Sequence, residues 1–183
     1  MPDAPAALLL NKELLAPVSN ALLADLMLNQ GLILVTAESC TGGMIAAACT
    51  DLAGSSAWFE RGFVTYSNAA KTDMLGVDAA LIAQHGAVSE PVARAMAFGA
   101  IHHSTAQVSV AVTGVAGPAG GSIEKPVGTV WFAWSVCGSL QSEMMCFNGD
   151  RARVRQATVH HAISKLLILL EKKLPWQAGA KTP

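Results

Sequence analysis

The stretch between residues 31 and 50 constrains the fold more than any other part of the chain. Gly31 precedes an apolar run of strand length at residues 32–36, which leads into a turn-forming segment at 37–43 and an alanine-rich segment at 44–50. A short apolar run bounded by turn residues predicts a buried strand, and an alanine-rich run predicts a helix. Together they predict a strand–turn–helix unit, the repeating element of parallel α/β sheets.

The remainder of the sequence continues this alternation. Further strands are predicted at residues 62–66, 107–113, 127–137 and 140–147, the last two forming a hairpin. Helices are predicted at residues 17–29, with Pro17 near the start, and at 68–75, 78–86, 89–104 and 150–174. Residues 1–183 are therefore expected to form a single α/β domain, a three-layer α/β/α sandwich with a mixed central sheet. Its core covers residues 17–172, and the tail after residue 175 is expected to be flexible.

The distribution of charge narrows the classes of function. The net charge is only −1, yet residues 1–149 carry 5 basic and 11 acidic residues, while residues 150–183 carry 7 basic and 2 acidic ones. A basic end of this kind is compatible with nucleic acid, a membrane surface or an anionic small molecule. It has no run of five or six like charges and no interleaved aromatic residues, so nucleic-acid binding through the last helix is a minor alternative.

The mean hydropathy of +0.40 does not by itself indicate a membrane protein. The longest uncharged run, between Arg94 and Glu124, is interrupted by polar residues, glycines and a proline. A membrane span needs about 20 predominantly apolar residues. The first residues also lack the charged and apolar regions of a signal peptide. We therefore expect a cytoplasmic protein with no membrane partner.

The cysteines and histidines do not form a recognisable metal-binding pattern. No C-x-x-C and no paired metal spacing occurs, so buried free thiols are expected at Cys40, Cys49, Cys137 and Cys146. The histidines include two adjacent pairs on predicted helices, at 102–103 and 160–161, whose side chains point apart rather than converge. We expect no metal and no cofactor.

Ser39 lies where the first strand gives way to a helix, with Gly42 and Gly43 just beyond it. Free backbone N–H groups at such a helix start favour an anion or a developing oxyanion, and a hydroxyl there can act as a nucleophile if a base reaches it. A simpler explanation is that Ser39 or Thr41 only caps the helix. Cys40 is a rival nucleophile that the sequence alone does not exclude.

A second candidate segment contains Tyr66, which is the only tyrosine, and Lys71, which is one of five basic residues before position 149. Serine, tyrosine and lysine together suit acyl transfer in which a neutral lysine takes the serine proton and a tyrosine hydroxyl between them relays it or orients the amine. This role requires a lowered lysine pKa. The alternative is that Tyr66 ends a strand and that Lys71 lies on a solvated helix face.

A third candidate is the glycine-rich loop at residues 113–121, with Arg151 and Arg155 near the start of the last helix. The loop matches neither a Walker A motif nor G-x-G-x-x-G, although its glycines allow a close approach of backbone amides to a ligand. The forked guanidinium group of arginine is suited to bidentate binding of phosphate. A plain turn explains the loop equally well.

Five segments in this order resemble the CinA carboxy-terminal-domain family: TAESCTGG at 36–43, GSSAWFERGFVTYSN at 54–68, QHGAVSE at 84–90, TGVAGP at 113–118 and KPVGTV at 125–130. The resemblance spans about residues 17–172. It implies hydrolysis of nicotinamide mononucleotide to nicotinic acid mononucleotide and ammonia, in pyridine-nucleotide recycling. It also implies an α/β/α fold, no metal, and a homodimer or larger homo-oligomer. Longer family members carry an additional N-terminal domain, whose activity is not expected here.

The resemblance assigns Ser39 as the nucleophile and matches Tyr66 and Lys71 to the family's tyrosine and lysine. We expect Lys71, assisted by Tyr66, to deprotonate Ser39. The backbone amides that would hold the oxyanion come from the turn, at Cys40, Thr41, Gly42 and Gly43.

Substrate contacts follow from the same resemblance. Thr113 and Gly114 are expected to line the site, with Gly114 as a further oxyanion donor, and Arg151 or Arg155 is expected to bind the 5′-phosphate. The rival hypothesis is a non-catalytic nucleotide-binding or protein-interaction relative that keeps the fold.

Overall fold

The computed structural model describes residues 12–173, which alternate between helices and strands as the sequence predicts. The elements follow the chain as α1 (Lys12–Asn29), β1 (Leu34–Glu38), α2 (Met44–Thr50), β2 (Phe59–Val64), α3 (Asn68–Leu75), α4 (Ala79–His85), α5 (Glu90–His102), β3 (Val108–Gly114), β4 (Thr129–Val136), β5 (Ser139–Cys146) and α6 (Arg151–Lys173). A 3-10 helix at Ser55–Ala57 precedes β2. The tail after residue 175 lies outside the described residues.

The sheet has the strand order β2-β1-β3-β4-β5. β1 pairs in parallel with β2 and with β3, whereas β4 and β5 join antiparallel to β3. The expectation of a mixed sheet is therefore confirmed. Because β1, β2 and β3 are parallel, their carboxyl ends meet at one edge, where ligands of open α/β sheets bind.

Helices cover both faces of the sheet, which confirms the three-layer architecture. On one face, α1, α2 and α6 pack on a core that includes Leu23, Met27, Phe132 and Leu166. On the other face, α3, α4 and α5 pack on a core that includes Met96. The central strand β3 is buried along nearly its whole length, as expected for a strand covered from both sides.

Most element boundaries lie within one or two residues of the predicted ones, and three differences bear on the argument. α1 begins at Lys12 rather than at Pro17, because residues 12–16 are good helix formers that continue the helix toward the N-terminus. β1 ends at Glu38, two residues later than predicted. β2 lies at Phe59–Val64 rather than at residues 62–66, so Tyr66 follows the strand instead of ending it.

Within the described residues, none of the helices combines the length and apolar character that a membrane crossing requires.

Candidate active site

Ser39 is the first residue after β1, at the carboxyl edge of the sheet. Its N–H donates to the carbonyl oxygen of Val112 at 3.0 Å, which anchors the turn to β3. Gly42 and Gly43 have φ values of 60° and 97°, so the turn needs glycine at both positions. The Ser39 side chain is 8% exposed. It is therefore sheltered but reachable from the edge of the sheet.

Lys71 places an amine next to this hydroxyl. Its Nζ lies 3.1 Å from Ser39 Oγ and 2.8 Å from the carbonyl oxygen of Thr65. The side chain is 1% exposed, so the alternative of a solvated helix face is wrong for Lys71. Burial lowers the pKa of the Lys71 amine, because desolvation disfavours its charged form. A sheltered hydroxyl and an amine whose pKa is lowered are thus in contact.

Tyr66 occupies a different position from the one expected. Its main-chain oxygen lies 3.5 Å from Lys71 Nζ, but its side chain is 58% exposed and its hydroxyl accepts a hydrogen bond from Arg151 Nη2 at 3.0 Å. The expectation that the hydroxyl lies between Ser39 and Lys71 is therefore wrong. The direct contact of Ser39 with Lys71 leaves no gap for a relay to fill.

Arg151 is the first residue of α6 and lies at the same edge. Its Nη1 donates to the carbonyl oxygen of Gly117 at 3.0 Å, while Nη2 donates to Tyr66 as above. The guanidinium thus joins the glycine-rich loop to the segment after β2. Tyr66 uses its oxygen as an acceptor here, so its own O–H remains able to donate to a ligand.

Arg155 is committed to the protein backbone. Its Nε donates to the carbonyl oxygen of Cys40 at 3.1 Å, and its Nη2 donates to that of Thr41 at 2.7 Å. The fork that would bind a phosphate is therefore used to hold the turn after Ser39. Arg151 and Arg155 lie one helical turn apart on α6 but bind different segments of the chain.

Glu38 is a site residue that the sequence pattern did not single out. It is fully buried at the end of β1, and its carboxylate accepts hydrogen bonds from two hydroxyls and three backbone amides. The donors are Thr36 Oγ1, Thr41 Oγ1 and the N–H groups of Gly43, Ile45 and Ala46. An acidic residue that ends an apolar strand just before a glycine turn is the signal that could have identified it.

The oxyanion donors are fewer than expected. The N–H of Gly42 donates to the main-chain carbonyl oxygen of Ser39, and the N–H of Gly43 donates to the Glu38 carboxylate. The expectation that these two amides hold an oxyanion is therefore wrong. Among the described residues, the N–H groups of Cys40 and Thr41 have no partner. These two amides directly follow the serine, where an oxyanion would form.

The Cys40 thiol points into the protein interior. It is buried in the core beneath α2 and α6. Burial raises its pKa to about 11, so it is a neutral thiol near pH 7. This environment argues against Cys40 as the nucleophile. Cys49 is also buried, whereas Cys137 and Cys146 are exposed, contrary to the expectation that all four are buried.

Thr113 and Gly114 shape the edge of the site by packing. Thr113 is buried and donates its hydroxyl hydrogen to the carbonyl oxygen of Ala87 at 2.9 Å. A Cβ added at Gly114 would lie 2.7 Å from Val130 Cγ2 and 2.8 Å from the carbonyl oxygen of Thr129. Glycine is needed there for the close approach of β3 and β4, whether or not its amide contacts a ligand.

The part of the chain that the structure describes contains no group of three or more His, Cys, Asp or Glu side chains placed to hold a metal ion.

Comparisons with known proteins place the sequence and the fold in one group. The model of the CinA C-terminal domain matches residues 18–170. The nicotinamide-nucleotide amidohydrolase PncC of Escherichia coli K12 is 55% identical over 138 residues, which cover 75% of this chain and 84% of that protein. The PncC of Pseudomonas putida is 58% identical over 134 residues, which cover 73% of this chain and 84% of that protein.

A solved structure agrees with these matches. The structure of a CinA superfamily protein from Klebsiella pneumoniae superposes with a TM-score of 0.83 at 38% identity, covering 86% of this chain and 98% of that one.

Proposed function

The chain belongs to the CinA C-terminal domain family, and from that premise we propose that it hydrolyses the carboxamide of nicotinamide mononucleotide to nicotinic acid mononucleotide and ammonia. Relatives that are more than half identical bear the name nicotinamide-nucleotide amidohydrolase. The observation that carries the proposal is the buried contact of 3.1 Å between Lys71 Nζ and Ser39 Oγ.

In the first step, the neutral amine of Lys71 takes the proton of Ser39 as Oγ attacks the carboxamide carbon. The N–H groups of Cys40 and Thr41 stabilise the oxyanion, and a single donor of this kind contributes about 2.7–4 kcal/mol to the transition state. Because burial lowers the pKa of Lys71, a larger share of the amine is neutral at a given pH.

In the second step, the protonated Lys71 gives its proton to the leaving nitrogen, and the C–N bond breaks to release ammonia. The remaining seryl ester is attacked by water, with Lys71 again the base, and the acid leaves as Ser39 recovers its proton. No metal or cofactor is needed for any of these steps.

Arg151 and Tyr66 form the end of the site that we assign to the 5′-phosphate. Both lie at the exposed edge, and Arg151 is a charged donor suited to phosphate. The side chain of Tyr66 spans from the backbone beside Lys71 to Arg151. A nucleotide lying along it would present its amide to Ser39 and its phosphate to Arg151.

The partner is thus a small nucleotide, and the protein is expected to act as a homodimer or larger homo-oligomer. Nucleic-acid binding through α6 stays a minor alternative, because Arg155, Lys165 and Lys173 of this helix bind groups of the protein itself.

Ammonia release tests this proposal. Purified protein is assayed with nicotinamide mononucleotide, with the riboside that lacks the phosphate, and with nicotinamide alone. We expect turnover of the nucleotide and kcat/KM at least about tenfold lower for the two compounds without phosphate. Saturable nucleotide binding without ammonia would contradict the proposal and favour the non-catalytic alternative.

A further inference from the structure

We infer that Glu38 is a positioning residue for the Ser39 nucleophile, although its carboxylate forms a hydrogen bond with neither Lys71 nor the Ser39 hydroxyl. The inference rests on the proposed function and adds a residue to its machinery. Three observations carry it: the set of donors around the carboxylate, the direction of the two side chains, and the anchoring of the backbone between them.

All five hydrogen-bond partners of the carboxylate are donors. Three of them are backbone N–H groups, at Gly43, Ile45 and Ala46, and these cannot act as acceptors. No basic side chain forms an ion pair with Glu38 in the described part of the chain. The first turn of α2 is therefore held by this one carboxylate, which takes the place of a conventional side-chain cap.

Glu38 and Ser39 are adjacent, and their side chains leave the backbone in opposite directions. Glu38 reaches the helix α2, whereas Ser39 faces Lys71 on the other side of the sheet. Any shift of the carboxylate against α2 is consequently passed to Cα of Ser39. The backbone on either side is tied as well, since Thr65 N–H donates to the Glu38 carbonyl oxygen at 2.8 Å.

Thr41 links the carboxylate to the oxyanion donors. Its hydroxyl donates to Glu38 Oε2 at 2.6 Å, and its carbonyl oxygen accepts from Arg155. In a trans peptide the N–H and C=O groups are antiparallel, so the Arg155 bond to the Cys40 carbonyl turns the Thr41 N–H away from α6. Glu38 and Arg155 thus fix the turn from two sides.

Because Glu38 saturates the start of α2, the substrate's phosphate has no place there. The function of Glu38 is to set the geometry of the reacting serine. Loss of the Glu38 carboxylate is therefore expected to lower kcat and to leave KM nearly unchanged. A misplacement of about 1 Å at a catalytic group can cost about 10²-fold in rate.

Glu38→Gln is the direct test, because it keeps the shape but turns one acceptor into an N–H₂ that faces backbone donors. We expect kcat with nicotinamide mononucleotide to fall about 10²-fold while KM changes less than about threefold. Ser109→Ala is the control, since it removes a buried hydroxyl that donates to Ala97 at the far end of β3. It should lower the melting temperature and keep kcat. Wild-type kcat in folded Glu38→Gln, or a change confined to KM, overturns the inference.

Two less disruptive substitutions at Thr41 test the role of Glu38 if the Glu38→Gln protein does not fold. Thr41→Val removes the hydroxyl that donates to Glu38, whereas Thr41→Ser keeps it. We expect kcat to be about fivefold to tenfold lower for the valine variant than for the serine variant, with similar KM values. Equal kcat values for the two overturn the inference.

A measurement that needs no amide substrate separates this inference from the proposed function. A fluorophosphonate forms an Oγ–P bond with an activated serine as fluoride leaves and the proton passes to Lys71, and intact mass reports the adduct. We expect Glu38→Gln to be labelled at Ser39 about 10²-fold more slowly than wild type. Equal labelling rates overturn the role of Glu38, whereas labelling without ammonia release contradicts only the proposed substrate.

Discussion

At the scale of single residues, the proposed catalysis depends on the protonation of Lys71. A lysine in water is almost entirely charged at neutral pH and cannot take a proton from serine. Here the side chain is 1% exposed, and its neighbours are a hydroxyl and two carbonyl oxygens rather than carboxylates. Burial lowers its pKa, and the smaller opposing effect of the nearby Cys40 thiol does not reverse this direction.

The pH dependence of kcat/KM checks this state. Activity requires the neutral amine, so it should be lost below the lowered Lys71 pKa, rise with pH through it and reach a plateau above it. We expect the midpoint of this rise in kcat/KM to lie below the ordinary lysine pKa of about 10.4. Lys71→Arg should abolish activity, because its guanidinium stays charged. A midpoint at or above pH 10.4, or an active Lys71→Arg variant, would contradict the assignment of Lys71 as the base.

Arg151 is expected to act in binding rather than in chemistry. Arg151→Ala should raise KM for the nucleotide about 10-fold to 10²-fold and leave kcat within a few-fold, because a hydrogen bond to a charged group is worth about 1.5–3 kcal/mol. Arg153→Ala is a matched control, since that side chain is exposed two residues further along α6. Steady-state kinetics of both variants decide the point. A KM unaffected by Arg151→Ala would place the phosphate elsewhere.

The sequence identifies some of these residues and not others, for a physical reason. Ser39 and Lys71 stand out because each is a reactive side chain in a short motif of glycines or capping residues. The partners of Arg155 are 114 and 115 positions away, and no local pattern encodes such a contact. Local sequence does not locate the Tyr66 hydroxyl either, because its hydrogen-bond partner Arg151 is 85 residues away.

At the scale of elements, the crossing of α5 with the end of α3 controls where Lys71 lies. Gly99 of α5 packs against Leu75, and a Cβ at Gly99 would overlap the Leu75 carbonyl oxygen. Alanine ordinarily stabilises a helix interior by about 1 kcal/mol relative to glycine. The steric overlap outweighs this preference.

Gly99→Ala should therefore destabilise the protein by about 1–3 kcal/mol, as overpacking does. Because α3 would have to move away, kcat should fall as well. Urea unfolding followed by circular dichroism measures the first effect, and ammonia release measures the second. A Gly99→Ala protein more stable than wild type would show that the helices are not in this contact.

The elements themselves were largely predictable, because apolar strands and capped helices are local patterns. β2 was placed three residues too late since Glu60 and Arg61 interrupt its apolar pattern, as an edge strand allows. Glu60 instead accepts hydrogen bonds from Thr105, beyond the reach of local sequence. The 3-10 helix at Ser55–Ala57 carries no periodic signal and was not predicted.

At the scale of the whole molecule, the fold brings the basic end of the chain to the edge that holds Ser39. The hairpin of β4 and β5 returns the chain to the carboxyl ends of the parallel strands, and α6 begins there with Arg151. Arg151 thereby lies at this edge beside Tyr66, and Arg155, one turn later, holds the turn after Ser39. The nearly neutral net charge conceals this separation.

Ser39, activated by Lys71, is proposed to carry out the amide hydrolysis. The most direct measurement is ammonia release from nicotinamide mononucleotide by wild type, Ser39→Ala and Cys40→Ala. We predict a loss of at least about 10³-fold for Ser39→Ala. Cys40→Ala should retain turnover, because its thiol is buried in the core and its backbone amide is unchanged. Full activity in Ser39→Ala together with loss in Cys40→Ala would contradict the account.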